Sequence, residues 1–250
     1  GGYLYDRYIA QGLRDLGWRV EVHSVDQSFP TPSAAAVEDA RLVLNAIPTT
    51  RVVVVDGLAL GGMAELLEEH TNRLHLVALV HHLLATETGL DEGSAERFRI
   101  AEHKALGWMH QVIVTSGPTA KTLAAYGVTE QPIAVVTPGT PRGSRARGSG
   151  NRVLNLLCVA TLIPRKGHLV LLEALSGLAG RPWLLTCIGS RERNPDTVAA
   201  ISAEVSRLGL EERVSLMGEI EPSLLMEYYL EADVFVLASH MEGYGMVLSE

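Results

Sequence analysis

The chain alternates short β-branched apolar runs with longer stretches whose apolar residues recur at helical spacing, and it does so twice over. Arg51-Val52-Val53-Val54-Val55-Asp56-Gly57 is a continuous apolar run, the pattern of a strand buried on both faces of a parallel sheet. Further strands are expected at Val20–Val25, Leu74–Val80, Gln111–Thr115 and Ile133–Thr137. Helical patterns fall between them, around Leu60–Glu69, Ala95–Trp108 and Thr119–Ala125. An opening helix is marked by Leu4, Tyr8, Leu13 and Leu16, with Gly17 as its C-terminal cap. After a break the alternation resumes: strand Val153–Ala160, helix Gly167–Leu178, strand Trp183–Ile188, helix Thr197–Leu208, strand Arg213–Met217, helix Pro222–Leu230 and a buried strand Asp233–Ala238. Strands that alternate with helices form parallel sheets covered on both faces. Two such blocks make two doubly wound domains, with ligands expected at the strands' carboxyl ends.

The break is residues 138–152, Pro-Gly-Thr-Pro-Arg-Gly-Ser-Arg-Ala-Arg-Gly-Ser-Gly-Asn-Arg, which hold no large apolar side chain. Its arginines, Arg142, Arg145, Arg147 and Arg152, could bind an anion; a solvated, mobile hinge is the favoured reading. The expected division is residues 1–141 as an N-terminal Rossmann-like domain, 142–152 as linker and 153–250 as a C-terminal Rossmann-like domain. With 250 residues, 47% of them hydrophobic, there is enough apolar content for two cores. A net charge of -8 argues against a nucleic-acid partner. No apolar run approaches the roughly 18 residues that span a bilayer, and no strongly basic amphipathic helix offers a surface anchor. Cys158 and Cys187 both lie in apolar runs and read as buried, reduced thiols.

Common nucleotide and metal signatures are absent. There is no Gly-x-x-x-x-Gly-Lys-Ser/Thr, no Gly-x-Gly-x-x-Gly after a strand and no Asp-x-Asp. No two of the nine histidines stand four apart on one helix around a carboxylate, so no metal is expected. Three stretches remain. Thr161-Leu162-Ile163-Pro164-Arg165-Lys166-Gly167-His168 follows a strand and opens a helix, placing two cations where backbone amides and the helix dipole favour a diphosphate; a solvated turn is the rival. In the second stretch, Ser239 to Glu250, glycines permit close approach to the backbone, and Glu242 and Glu250 could accept from sugar and ribose hydroxyls; a plain glycine turn with solvated glutamates competes. The third is Val80-His81-His82-Leu83 at a strand end, where a neutral histidine could accept from a hydroxyl or polarise a reacting group. Sequence does not decide between His81 and His82, nor against a structural histidine.

Together these stretches resemble the family-4 retaining glycosyltransferases, a group of GT-B architecture. Glu242-Gly243-Tyr244-Gly245-Met246-Val247-Leu248-Ser249-Glu250 is similar to that family's Glu-x7-Glu signature, and Pro164-Arg165-Lys166-Gly167-His168 to its Pro-x-Lys-Gly-His. Val234-Phe235-Val236-Leu237-Ala238-Ser239 resembles the strand that leads into the signature, Gly1-Gly2 the glycine pair after the first strand, and His81 a strand-end histidine. Two departures stand out. Ala160-Thr161-Leu162 replaces a common Gly-Arg-Leu, with Arg165 as substitute for the lost charge, and Pro138-Gly139-Thr140-Pro141 replaces Asn-Gly-Val-Asp.

The resemblance implies an α/β fold of two Rossmann-like domains facing a cleft. It implies transfer of a sugar, with retention of configuration, from a nucleoside-diphosphate sugar to a glycan, lipid or small-molecule acceptor, without a metal or other cofactor. Glu242 and His81 would be the catalytic groups, and Arg165, Lys166, Gly243, Tyr244 and Gly245 the diphosphate site. Glu250 would hold the ribose, and Gly1 and Gly2 would border the cleft. The expected location is the cytoplasm or the inner face of a membrane. A sugar-nucleotide epimerase of the same architecture and a non-catalytic nucleotide-sugar-binding module remain alternatives. Gly1 and Glu250 both stand in mid-pattern, so the chain reads as a fragment lacking its first strand and its C-terminal part.

Overall fold

The β-branched runs pair in parallel, as strands joined by helical crossovers must. In the computed structural model, which describes residues 2–140, 142–178 and 180–249, the chain forms two compact units. One comprises residues 1–139 with 243–246, the other residues 140–242 with 247–250.

The first unit runs α1 (Gly2–Asp15), α2 (Ala34–Ala46), β1 (Val52–Asp56), α3 (Gly57–Leu60), α4 (Ala64–His70), β2 (His75–Val80), α5 (Glu92–Gly107), β3 (Gln111–Val114), α6 (Gly117–Ala125) and β4 (Ile133–Val135). Its sheet has the order β1-β2-β3-β4, all parallel. Side-chain caps start several of these helices: Ser33 accepts from Ala36 N, Asp91 from Ser94 N and Ser116 from Thr119 N. Each satisfies a donor that the first helical turn leaves orphaned. Leu66, Leu67, Leu76, Val80, Leu106, Val112 and Leu123 form the centre of the core.

The second unit runs β5 (Leu154–Val159), α7 (His168–Ser176), β6 (Trp183–Ile188), α8 (Pro195–Arg207), β7 (Val214–Met217), α9 (Pro222–Glu231) and β8 (Val234–Phe235). The sheet order is β7-β6-β5-β8, again parallel. Leu162, Leu172, Leu185 and Ile201 pack with Cys158 and Cys187 in the main core. Both cysteines are buried free thiols, as their apolar settings imply.

Several expectations are corrected. Val20–Val25 has no regular secondary structure, with Val22 exposed; among the described residues no strand pairs with it, and a segment without a ladder partner is not a strand. β1 is an edge strand, not one buried on both faces: Val52 and Val54 are exposed and only Val55 is buried. Helix α2, which the sequence pattern does not announce, buries Ala36, Ala40 and Leu44. In α1 the inward residue is Tyr5, while Leu4 and Tyr8 are exposed. β8 is two residues long with an exposed Val234, and the last segment is a short 3-10 turn at Met246–Leu248.

Nor is the linker wholly free: the Asp233 carboxylate accepts from Ser149 N, Ser149 Oγ and Asn155 N, and Leu230 O accepts from Arg147 N and Gly148 N. The four linker arginines are exposed.

One glycine is demanded twice. Gly167 has φ +65°, and a Cβ there would lie 1.9 Å from Ala238 O. Gly209 has the same φ with open space around it. Gly209→Ala is therefore expected to cost only the left-handed penalty, about 1 kcal/mol, and Gly167→Ala at least twice that. Denaturant unfolding of the two variants checks the difference.

Candidate functional site

In the second unit, the chain leaving β5 makes a 3-10 turn at Pro164–Lys166 and closes it at Gly167 before α7 begins. α7 has no side-chain N-cap, so its first amides keep the partial positive charge of a helix start. Because Gly167 lacks a Cβ, the backbone leaving β8 can lie directly against the turn. The two segments are stitched together: His240 N donates to Arg165 O at 2.8 Å and Arg165 Nη1 donates to Met241 O at 2.9 Å.

Glu242 sits at the centre of this stitch. Its Oε1 accepts from Lys166 Nζ at 2.6 Å and from Ser239 Oγ at 2.6 Å, and its Oε2 lies 3.8 Å from Arg165 Nη1. Burial pushes the carboxyl up, but hydrogen bonds from Lys166 and Ser239, with the charges of Lys166 and Arg165, outweigh it and hold the group below its ordinary value. Glu242 is thus a fixed carboxylate, and the cluster carries one net positive charge. Lys166 uses one of its three N–H donors on Glu242, which leaves two that can point at a second anion.

In the first unit, His81 at the end of β2 is held by two carboxylates. Its Nε2 lies 3.0 Å from Asp6 Oδ1 of α1 and 3.5 Å from Asp56 Oδ2 at the end of β1. The Tyr5 ring stands edge-on to the imidazole at 5.4 Å. Gly2 lies against the same ring: a Cβ on it would come within 3.1 Å of His81 Cδ2. Burial alone would lower the histidine, but hydrogen bonds to Asp56 and Asp6 and their negative charge raise it to about 9. Asp56 is pushed up by burial and pulled down further by His81 and by the Leu58 amide, ending below its ordinary value. His81 is therefore an imidazolium at neutral pH, which corrects the expectation of a neutral hydrogen-bond acceptor. His82 faces Glu87 instead, with Nε2 3.3 Å from Oε2.

The expected residues thus fall into separate settings. Arg165, Lys166 and Glu242 come together in the second unit. Gly243, Tyr244 and Gly245 group with the first unit, where a Cβ on Gly243 would lie 2.4 Å from His81 O. Tyr244 packs half-buried against the Tyr5–Leu79–Met246 cluster. Gly1 and Glu250 lie outside the described residues. Sequence reading missed Ser239, Asp6 and Asp56; Ser239 had a signal, three residues before Glu242, whereas the aspartates meet His81 only through the fold. Among the described residues two groups bring three side chains of metal-ligand type together, Asp6–Asp56–His81 and Cys158–His168–Cys187. In the first, a protonated imidazole has no lone pair for a metal.

The sign of the His81 shift makes a pH prediction. Folding raises this group from 6.5 to about 9, so its stabilising effect is complete below pH 6.5 and drains away as pH rises through 9. The thermal midpoint should fall over that window and fall less in His81→Gln. Asp6→Asn or Asp56→Asn should bring the His81 titration, followed by NMR, down toward its ordinary value; an unmoved titration would contradict the pairing.

Comparison with known proteins adds several likenesses. Residues 145–250 match the family model "Glycosyl transferases group 1". D-inositol 3-phosphate glycosyltransferase of Corynebacterium glutamicum is 27% identical over 203 residues, 71% of this chain and 48% of that protein. Mannosylfructose-phosphate synthase of Agrobacterium fabrum is 31% identical over 101 residues, covering 38% of this chain and 22% of its own length. The chain spans about half the length of the D-inositol 3-phosphate glycosyltransferases it matches. Among solved structures, sucrose-phosphate synthase from Thermosynechococcus elongatus superposes with TM-score 0.75 at 19% identity, over 99% of this chain and 72% of that one. Anabaena HepE, in complex with UDP and glucose, gives TM-score 0.66 at 18% identity over 95% and 65%. The fold is α/β, two Rossmann-like parallel-sheet units of the GT-B architecture. Residues 145–250, the segment that matches this family model, hold Arg165, Lys166 and Glu242.

Proposed function

We propose that the protein is a glycosyltransferase that moves a hexose from a nucleoside-diphosphate sugar to an acceptor hydroxyl with retention of anomeric configuration. The observation that carries this reading is the Arg165–Lys166–Glu242–Ser239 cluster at an uncapped helix start, within the segment that matches the family model. Breaking a glycosidic bond to a diphosphate leaves the electron pair on the phosphate oxygen, and catalysis must stabilise that growing charge. Arg165, Lys166 and the amides at the start of α7 are fixed donors for it; a diphosphate role for the backbone of Gly243, Tyr244 and Gly245 rests on the Glu-x7-Glu signature in the sequence. Glu242, kept ionised, accepts from hydroxyls of the donor sugar. The acceptor oxygen bonds to the anomeric carbon and its proton passes to the departing phosphate. Because these side chains supply the charge, the reading requires no metal.

His81 offers an imidazolium N–H, not a lone pair, so its part is to donate toward a hydroxyl or oxyanion. In this reading Gly2, beside its ring, keeps space there, with Gly1 as its partner in the glycine pair. Glu250 accepts from the ribose hydroxyls. The relatives named above include phosphate-bearing products or acceptors in their names, and HepE was solved with UDP and glucose; a small-molecule acceptor and a uridine donor are therefore the first to try. No helix among the described residues is long and apolar enough to cross a membrane.

A thermal-shift screen with uridine, guanosine and adenosine diphosphate sugars should single out one nucleotide through ligand-linked stabilisation. Lys166→Ala should then weaken that donor by about 10- to 100-fold, the equivalent of a lost charge-assisted hydrogen bond of about 1.5–3 kcal/mol. Unchanged affinity and turnover would remove the diphosphate assignment. Product analysis with and without acceptor separates transfer from donor epimerisation, and intact nucleotide binding in Glu250→Ala would end the ribose role.

A further inference from the structure

One buried acid has no part in the function above. Glu102, on the inward face of α5, is 2% exposed. Its two carboxylate oxygens accept from consecutive amides, Oε1 from Leu84 N at 2.7 Å and Oε2 from Ala85 N at 3.2 Å. These amides open the 3-10 turn Leu84–Thr86, three residues beyond His81. Such turns form without a partner of this kind: those at Gly61–Met63 and Pro164–Lys166 start with no side-chain cap. Burial pushes the Glu102 carboxyl up, against the two amide bonds and the charge of His82, and it stands above its ordinary value. Keeping a carboxyl in a dry core costs stability, so closing the turn is too small a role to account for it.

Glu102 lies between the segments that carry His81 and Asp56. Val80 is the last residue of β2 in register with β3. Past it, His81 O accepts from Thr119 Oγ1 at 3.3 Å, and the chain turns in to Leu83, buried in the core. Thr86 closes the turn on Leu83 O through its Oγ1 at 2.7 Å and its N at 3.1 Å, so Leu83 and the two amides move as one piece. On the other side, the α5 backbone abuts the turn that follows α3: a Cβ on Gly61 would lie 3.3 Å from Ala101 Cβ and 3.5 Å from Glu102 N. α3 itself begins at Asp56, whose Oδ1 accepts from Leu58 N at 2.8 Å.

We propose that Glu102 is a positioning residue: by gripping the Leu84 and Ala85 amides from α5, it sets where the His81 imidazole stands relative to the Asp56 and Asp6 carboxylates. The 3.5 Å from His81 Nε2 to Asp56 is already at the limit of a hydrogen bond, so a small retreat of the loop breaks it. The consequence for catalysis rests on the glycosyl-transfer reading above; the positioning does not. An imidazolium that donates toward a hydroxyl or an oxyanion acts through geometry, and a displacement of about 1 Å can cost on the order of a hundredfold in rate.

Two variants test this. Glu102→Gln keeps the side-chain shape but turns an NH2 group toward one of the two amides, so one bond is lost. Leu84→Pro leaves Glu102 and its charge in place and removes the N–H that Oε1 accepts; proline suits the first residue of a turn after extended Leu83. Asp6 and Tyr5 face His81 from α1 and Asp56 from β1, and the charges that shift it are those of Asp6 and Asp56. A moved titration therefore reports a moved imidazole. Followed by NMR, the His81 titration should fall from about 9 toward its ordinary value in both variants. The ring signals of His75 and His110, at the opposite ends of β2 and β3, should stay where they are. Turnover should drop about tenfold or more, with stabilisation by the nucleotide sugar that the thermal-shift screen selects unchanged, whereas Lys166→Ala weakens that binding. If Glu102→Gln does not fold, Leu84→Pro decides alone. An unmoved His81 titration, or His75 and His110 signals that shift along with it, overturns the proposal. A titration that moves in a protein that transfers no sugar upholds the positioning and removes the glycosyl-transfer reading instead.

Discussion

The second unit's candidate site depends on one contact, the hydrogen-bonded ion pair of Lys166 and Glu242 at 2.6 Å. Such a partly buried pair adds little to stability, because the cost of taking both charges from water offsets most of their attraction. What it contributes is position. Lys166 lies in a turn closed by Gly167, and Glu242 follows the strand whose backbone that glycine admits to within contact of the turn. Ser239 and Arg165 then fix the two carboxylate oxygens separately. The result is a carboxylate held ionised beside Lys166, which keeps two N–H donors, the preorganisation that charge-stabilising catalysis needs.

The first unit solves the mirror-image problem. There the central group is a cation, His81, and the clamps are two acids, Asp6 and Asp56. Each unit thus ends a strand in a charged group flanked by two opposite charges, and each shift in protonation follows from the flanking pair overcoming burial. In both cases a glycine is what lets the surrounding backbone or ring come close: Gly167 in one, Gly2 in the other. Charge state and geometry are therefore set by the same local packing.

Much of this was legible in the sequence, and the gaps have physical causes. Strands β2, β3, β5, β6 and β7 announced themselves because each is an apolar run whose hydrogen bonds are met by neighbours. Val20–Val25 carries the same local pattern without a partner, and β1 looks central in sequence although it is an edge; pairing is a property of the sheet, not of the segment. α2 was overlooked because two of the three residues on its inward face, Ala36 and Ala40, are small and give weak periodicity beside Leu44, although Ser33 marks its start. Arg165, Lys166 and Glu242 were readable because each lies just beyond a strand, where α/β sheets put polar groups. Asp56 lies in such a place too, but its meaning comes from His81, brought next to it by the β1–β2 pairing. Its role could not be read before the sheet order was known.

The overall charge sharpens what the cation pair must do. At -8 the chain as a whole repels a diphosphate, so under the proposed function long-range steering works against donor capture. At physiological salt, however, the screening length is about 8 Å, and beyond it the distant acids count for little. Within it lie Arg165, Lys166 and the uncapped start of α7, beside the negative charge of Glu242. Binding then rests on short hydrogen bonds from fixed donors, which discriminate by geometry where a diffuse positive surface would not. An acidic protein can hold an anionic substrate in this way provided its cations are kept in place, and the stitch between the Pro164–Gly167 turn and the Ser239–Glu242 segment keeps them there.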